Sequence, residues 1–139
     1  MYKKLVALIL LCSILLILPA CSSSNQPVID VKALEQQVAV DFAPQGRDAV
    51  QFFDFYYLGT DNGYHIVWFR LIGYEACDMP GKTNIEGYEF EVGGGCYLKA
   101  YKNGEFIDLR KAYYHDGLVS KEAIVKAGKL YAEQKNATE

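Results

Sequence analysis

Few side chains in this sequence suit covalent chemistry, and their spacing is the first constraint on what it does. There are four Cys and two His, with no Cys-x-x-Cys and no local Cys–His signature. Two His cannot complete a metal site without carboxylates. His65 falls in an aromatic, β-branched stretch on the side of Val67 and Phe69, which makes it a packing or surface residue. His115 precedes Asp116 at the end of a short helical stretch, where a cationic imidazole meets the last carbonyls favourably. Asp78, Glu86, Glu89 and Glu91 are the densest acidic group. They lack the regular loop spacing of a calcium site and read as a solvated face. No nucleophile-elbow serine motif occurs. Gly93-Gly94-Gly95 leads from one strand into another, without the helix N-terminus that holds a phosphate. A carboxylate pair for sugar hydrolysis is available in almost any acidic domain, and nothing singles one out here. The expectation is no catalytic residue, no metal and no cofactor.

Aromatic surface, by contrast, is plentiful: eleven Tyr, seven Phe and one Trp. Tyr56 and Tyr57 with Trp68 on one hairpin, and Tyr97, Lys99 and Tyr101 alternating on another strand, are the candidate binding residues. Rigid aromatics stack on sugar rings or on a protein partner at low entropy cost. Trp68 is expected to pack beneath helices. The Tyr97-Lys99-Tyr101 row, backed by Leu98 and Ala100, is expected to be exposed.

The start of the chain is a different kind of signal. Met1-Tyr2-Lys3-Lys4 is basic, and residues 5–18 (LVALILLCSILLIL) form a 14-residue, almost wholly apolar run. A helix of that length rises about 21 Å, short of the ~30 Å hydrocarbon core, and so reads as a signal-peptide core and not a spanning helix. Leu18-Pro19-Ala20-Cys21 then resembles the lipobox of bacterial lipoproteins, and Ser22-Ser23-Ser24-Asn25-Gln26-Pro27 follows it. The resemblance implies that Cys21 receives a diacylglyceryl group and that the bond after Ala20 is cut. Cys21 then becomes the acylated N-terminus on the extracytoplasmic face of the cell membrane. Residues 1–20 are then a lipoprotein signal peptide, and residues 21–28 a lipidated Cys with a flexible tether. Loss of Lys3 and Lys4 leaves twelve basic residues against seventeen acidic ones, a net charge of −5. An acidic body is weakly repelled by anionic lipid, so the acyl chains do the holding. In that compartment Cys77 and Cys96 are expected to form a disulfide. The alternatives are two unpaired thiols, or a reactive Cys with His65 or His115 as its base.

Length and composition bound the rest. One domain fits in 139 residues, and 51% hydrophobic with 22% charged residues excludes disorder, collagen and coiled coil. A formal charge of −3 argues against a nucleic-acid binder.

The elements that must position these residues form an α+β pattern. Asp30 caps a helix over residues 30–42, with Val31, Leu34, Val38 and Phe42 on one face. Residues 51–58 (QFFDFYYL) and 64–72 (YHIVWFRLI) are strands joined at Asn62-Gly63, which sets Tyr57 opposite Trp68 and Tyr56 opposite Phe69. Residues 88–92 (YEFEV) alternate strictly. Residues 96–102 and 105–107 flank Asn103-Gly104, with Lys102 opposite Glu105. Asp108 and Ser120 cap two short helices, and Val119 with Ile124 has hydrophobic-staple spacing. The fold class is an antiparallel sheet of about five strands with one N-terminal helix and two short C-terminal helices. Residues 29–132 form the domain and 133–139 a frayed tail. The block Asn103-Gly104-Glu105-Phe106-Ile107-Asp108-Leu109, Ala112-Tyr113 and Gly117-Leu118-Val119-Ser120 is similar to the ends of small secreted proteins of Gram-positive bacteria. That resemblance implies the fold alone.

The functional expectation is a lipid-anchored, non-enzymatic module that binds a cell-wall polymer or envelope protein and no nucleic acid. An inhibitor or immunity-like protein, acting through a rigid loop at residues 78–86, ranks second and a small enzyme third.

Overall fold

The computed structural model describes residues 28–73 and 81–139. In it, short polar side chains bound most elements. The Asp30 carboxylate accepts the Ala33 N–H at 3.1 Å and opens α1 (Val31–Asp41). Leu34, Val38 and Phe42 turn inward from this helix, while Val31 in the first turn stays 40% exposed, off the predicted buried face. The strands are β1 (Phe52–Asp61), β2 (Tyr64–Leu71), β3 (Gly81–Ile85), β4 (Tyr88–Val92), β5 (Cys96–Lys102) and β6 (Glu105–Asp108). Asp108 then caps α2 (Leu109–Tyr114) and Ser120 caps α3 (Lys121–Thr138), each through its side chain.

The fold is α+β with wholly antiparallel pairing, one helix before the strands and two after. Its strands number six and divide between two sheets. Four lie in the order β1-β2-β5-β6, and β3 pairs only with β4. The sixth strand is β3, in a segment expected to be a loop. Its sequence GKTNI buries Ile85 alone and so carries no period-2 apolar signal. From Gly81 onward, therefore, the rigid loop of the inhibitor reading is a strand. It is followed by a turn at Glu86-Gly87 with φ of 53° and 84°. Asn62-Gly63 and Asn103-Gly104 have the same left-handed pairs, as two-residue hairpin turns require.

Alternation along β2 divides the interior in two. Ile66 and Trp68 join Tyr56, Leu58, Leu98 and Ala100 in a core closed by β3, β4, α2 and α3. Val67 and Phe69, on the opposite face, join Tyr101 and Val38 beneath α1. Val119 and Ile124 are both buried, as a staple at the start of α3.

Two expectations need correction. Near the first turn the register is as predicted, with Asp61 opposite Tyr64 and Thr60 opposite His65. Beyond it β1 carries one extra residue between Tyr57 and Thr60, which sets Tyr57 opposite Val67 and Tyr56 opposite Trp68. Gly59, at φ 112°, lies in this bulge. The second correction concerns residues 133–139, which are not a frayed tail, because α3 runs to Thr138. Its polar end has fixed partners: Gln134 Nε2 donates to the Tyr57 carbonyl at 3.0 Å, Lys135 pairs with Glu91, and Thr138 Oγ1 meets Tyr56 Oη at 3.0 Å. The last helix is thus 18 residues long.

Against β4 the contact of α3 is close. A β-carbon built on Gly128 would overlap the Cγ–Cδ1 edge of the Tyr88 ring and lie 2.7 Å from the Tyr88 Cβ. Gly128→Ala gains up to ~1 kcal/mol of helix propensity but overpacks this contact, at a cost of ~1–3 kcal/mol or more. Urea unfolding should show Gly128→Ala destabilised in the parent and less so in a Tyr88→Ala background, which removes the ring and keeps the Cβ contact. Equal losses in both backgrounds would reject the ring contact as the cause.

Candidate functional site

The predicted aromatic face is not a free surface. Tyr101 is buried under α1, and the Tyr97 ring lies 4.8 Å from Phe42 and 5.4 Å from Phe69. Lys99 keeps its ammonium 5.9 Å from the Tyr97 ring centre. The reason is coverage: both sheet faces are apolar, the C-terminal elements close one, and α1 must close the other. Tyr56 and Trp68 stack at 4.8 Å in the first core, where Trp68 Nε1–H donates to the Glu91 carbonyl at 2.7 Å. Tyr57 points to the opposite face, half-buried beside His65. The six residues are therefore split between two layers.

The other singled-out groups are accounted for separately. Glu86 accepts from Tyr113 Oη at 2.6 Å and lies 3.8 Å from Lys121 Nζ. Glu89 lies 3.8 Å from Lys82 Nζ, and Glu91 pairs with Lys135. Asp78 lies outside the described residues. Among the described residues no group of three or more His, Cys, Asp or Glu could hold a metal ion. Cys96 is buried on the Trp68 side of the sheet, whereas His65 lies on the Phe69 side, so the two are on opposite faces. Cys77 and Cys21 lie outside the described residues.

What α1 leaves open is a groove of about 520 Å³ beside its second half. Gln37 and Asp41 line it from the helix, His65 and Tyr101 from the sheet, and Lys102 with the turns at Gly63 and Asn103-Gly104 from the hairpin ends. Pairing of His65 with Tyr101 across β2 and β5 brings these two turns side by side. Asp41 is fixed from two directions. The Tyr101 hydroxyl donates to Oδ2, and Gln37 Nε2, one helical turn away, lies 3.1 Å from both carboxylate oxygens. Burial, followed by the hydrogen bond to Asp41 and the charge of that carboxylate, pushes the Tyr101 hydroxyl up to about 12. A hydrogen bond from the Gly104 N–H acts in the opposite direction.

His65 stacks on Tyr101 with ring centres 6.4 Å apart, and its buried Nδ1 has no hydrogen-bond partner. Burial lowers the imidazole pKa below the usual 6.5, so the ring is neutral at pH 7. Lys102 holds its ammonium 5.0 Å from the Tyr64 ring centre and makes no ion pair among the described residues. Sequence reasoning did not select Gln37 and Asp41 as site residues. Their signal is i,i+4 spacing on the flank of the apolar stripe, and it becomes informative only once α1 is known to lie beside His65.

Compared with known proteins, the chain matches no family model, no curated protein and no solved structure.

Two pH effects follow. The folded-state pKa of His65 lies below its unfolded value, so the unfolded chain takes up the proton first. The stability this residue contributes is complete above about pH 6.5 and is lost as pH falls through the folded pKa. His65→Gln should flatten that acid limb in urea unfolding, and an unchanged limb would exclude His65 as its source. The Tyr101 pKa shift has the opposite sign, since its stabilisation is complete below pH 10 and lost between 10 and about 12. Phenolate absorbance should show one fewer late-titrating tyrosine in Tyr101→Phe, with a shallower alkaline limb.

Proposed function

We propose that this chain is a bacterial lipoprotein held on the extracytoplasmic face of the cell membrane by lipid on Cys21. Its folded domain is a non-enzymatic binding module for an envelope polymer or protein. The observation that carries the reading is Leu18-Pro19-Ala20-Cys21 at the end of a basic start and a 14-residue apolar run. No helix of the described residues is long and apolar enough to cross a membrane, which fits attachment of this domain by acyl chains. One chain binds a bilayer marginally, and two or more on one Cys bind it stably. The seven residues 22–28 reach at most about 25 Å when fully extended. The domain is thereby kept close to the membrane and to whatever polymer or protein lies there.

The binding half of the reading is supported by the groove beside α1. Its carboxylate is held in place before any ligand arrives, and three further polar side chains keep unused hydrogen-bonding capacity.

Metabolic labelling with an alkyne fatty acid should tag the parent chain and not Cys21→Ala, and the variant should appear in the medium. Label persisting on Cys21→Ala, or a chain recovered with residues 1–20 attached, would overturn the anchoring. A parent protein that neither sediments with purified cell wall nor recovers a stoichiometric envelope protein would overturn the binding role.

A further inference from the structure

We infer that the groove between α1 and the turns at Gly63 and Asn103-Gly104 takes an uncharged, polyhydroxylated ligand, a saccharide. Asp41, Gln37, His65 and Lys102 supply the hydrogen bonds. This rests on the reading of the domain as a binder of an envelope polymer and names the part of the polymer that is bound.

Unused capacity in the groove is of both kinds. Asp41 keeps carboxylate lone pairs beyond those taken by Tyr101 and Gln37, and the Gln37 carbonyl oxygen has no partner among the described residues. His65 offers its Nε2 alone, since Nδ1 is buried, and no hydrogen bond to the ring is made within the described residues. Lys102 offers ammonium donors. Vicinal hydroxyls, each able to donate and accept, are the groups that match a mixed array in so small a space. Charge separates the competing ligand classes. A divalent cation would find one carboxylate, and calcium takes six to eight oxygens. A phosphate would meet that carboxylate in a groove with a single lysine, whose ammonium lies over the Tyr64 ring. The formal charges of the lining cancel, which suits a neutral ligand. At about 520 Å³ the groove lies within the ~300–1,000 Å³ of small-ligand clefts. Orientation is fixed in advance, because Tyr101 and Gln37 hold Asp41 without the ligand.

The test uses the full chain in detergent micelles. Tri-N-acetylglucosamine and a β-linked glucose trisaccharide are titrated while the His65 imidazole resonances are followed. At least one trisaccharide should shift His65 saturably, and Gln37→Ala and Lys102→Ala, both changes of surface side chains, should each weaken binding roughly tenfold or more. Inorganic phosphate and calcium should leave His65 in place. The inference is overturned if neither trisaccharide moves His65, if both variants bind as the parent does, or if phosphate or calcium occupies the groove instead. Sedimentation with cell wall separates the two levels of failure. Parent and variants sedimenting alike would remove the groove assignment and leave the binding role standing. A parent that binds neither wall nor trisaccharide would remove both.

Discussion

β2 is apolar toward both sides, with Ile66, Val67, Trp68 and Phe69 all buried. Four consecutive large side chains cannot be satisfied by one cover, since alternate residues face opposite ways. Each such side chain is worth ~1.5–3 kcal/mol when fully buried and forfeits that if its face stays wet. The sheet must therefore be sandwiched, and the chain supplies two unequal covers. β3, β4, α2 and α3 close the Trp68 side, and α1 alone closes the Phe69 side. The order of elements, the burial of the aromatic row on β5 and the position of the groove all follow from this.

The two covers are held differently. On the Trp68 side, contacts between distant parts of the chain pin α3: Gln134 to the Tyr57 carbonyl, Lys135 to Glu91, Thr138 to Tyr56, and Gly128 under the Tyr88 ring. Trp68 and Tyr131 add their own polar contacts to the two sides of Glu91, the first to its carbonyl and the second from its N–H. On the other side α1 buries only Val38 completely, and Phe42 supplies edge-on contacts to Phe69, Tyr97 and Phe106. One polar link, Asp41 to Tyr101, ties its last turn to β5. A cover that is one helix wide and attached mainly at its C-terminal end leaves the sheet open beside it, and Gln37, Asp41, His65 and Lys102 gather there.

Wherever a signal depends on neighbours in sequence, it was legible. Asp30, Asp108 and Ser120 are N-caps, Asn62-Gly63 and Asn103-Gly104 are turns, and Lys102 faces Glu105, all from local chemistry. Features that depend on a partner distant in sequence were not. The bulge between Tyr57 and Thr60 is set by how β1 meets β2, and it shifts the pairs from Tyr57 to Asp54 by one residue, with a second irregularity between Asp54 and Phe52. β3 exists because β4 offers it an edge, and the Asn84 carbonyl is taken by Arg110 from α2. The end of α3 looks too polar to be held, yet its partners are the backbone of β1 and a carboxylate of β4. The aromatic row was assigned to the right strand face and the wrong environment. Periodicity tells which residues share a face but not what will cover it.

That limit bears on the site itself. Tyr101 was selected as a surface for stacking, and its role in the fold is to orient Asp41 from beneath. A buried hydroxyl that donates to a carboxylate removes its own desolvation cost and fixes the acceptor. The carboxylate then lies beside the Asn103-Gly104 turn with lone pairs to spare. An exposed aromatic platform would bind any flat apolar surface. Under the proposed saccharide binding, a carboxylate, an amide and an imidazole along one groove would discriminate by the pattern of donors and acceptors. Under the proposed anchoring through Cys21 the domain would lie within about 25 Å of a membrane, where a merely greasy face would be occupied by lipid.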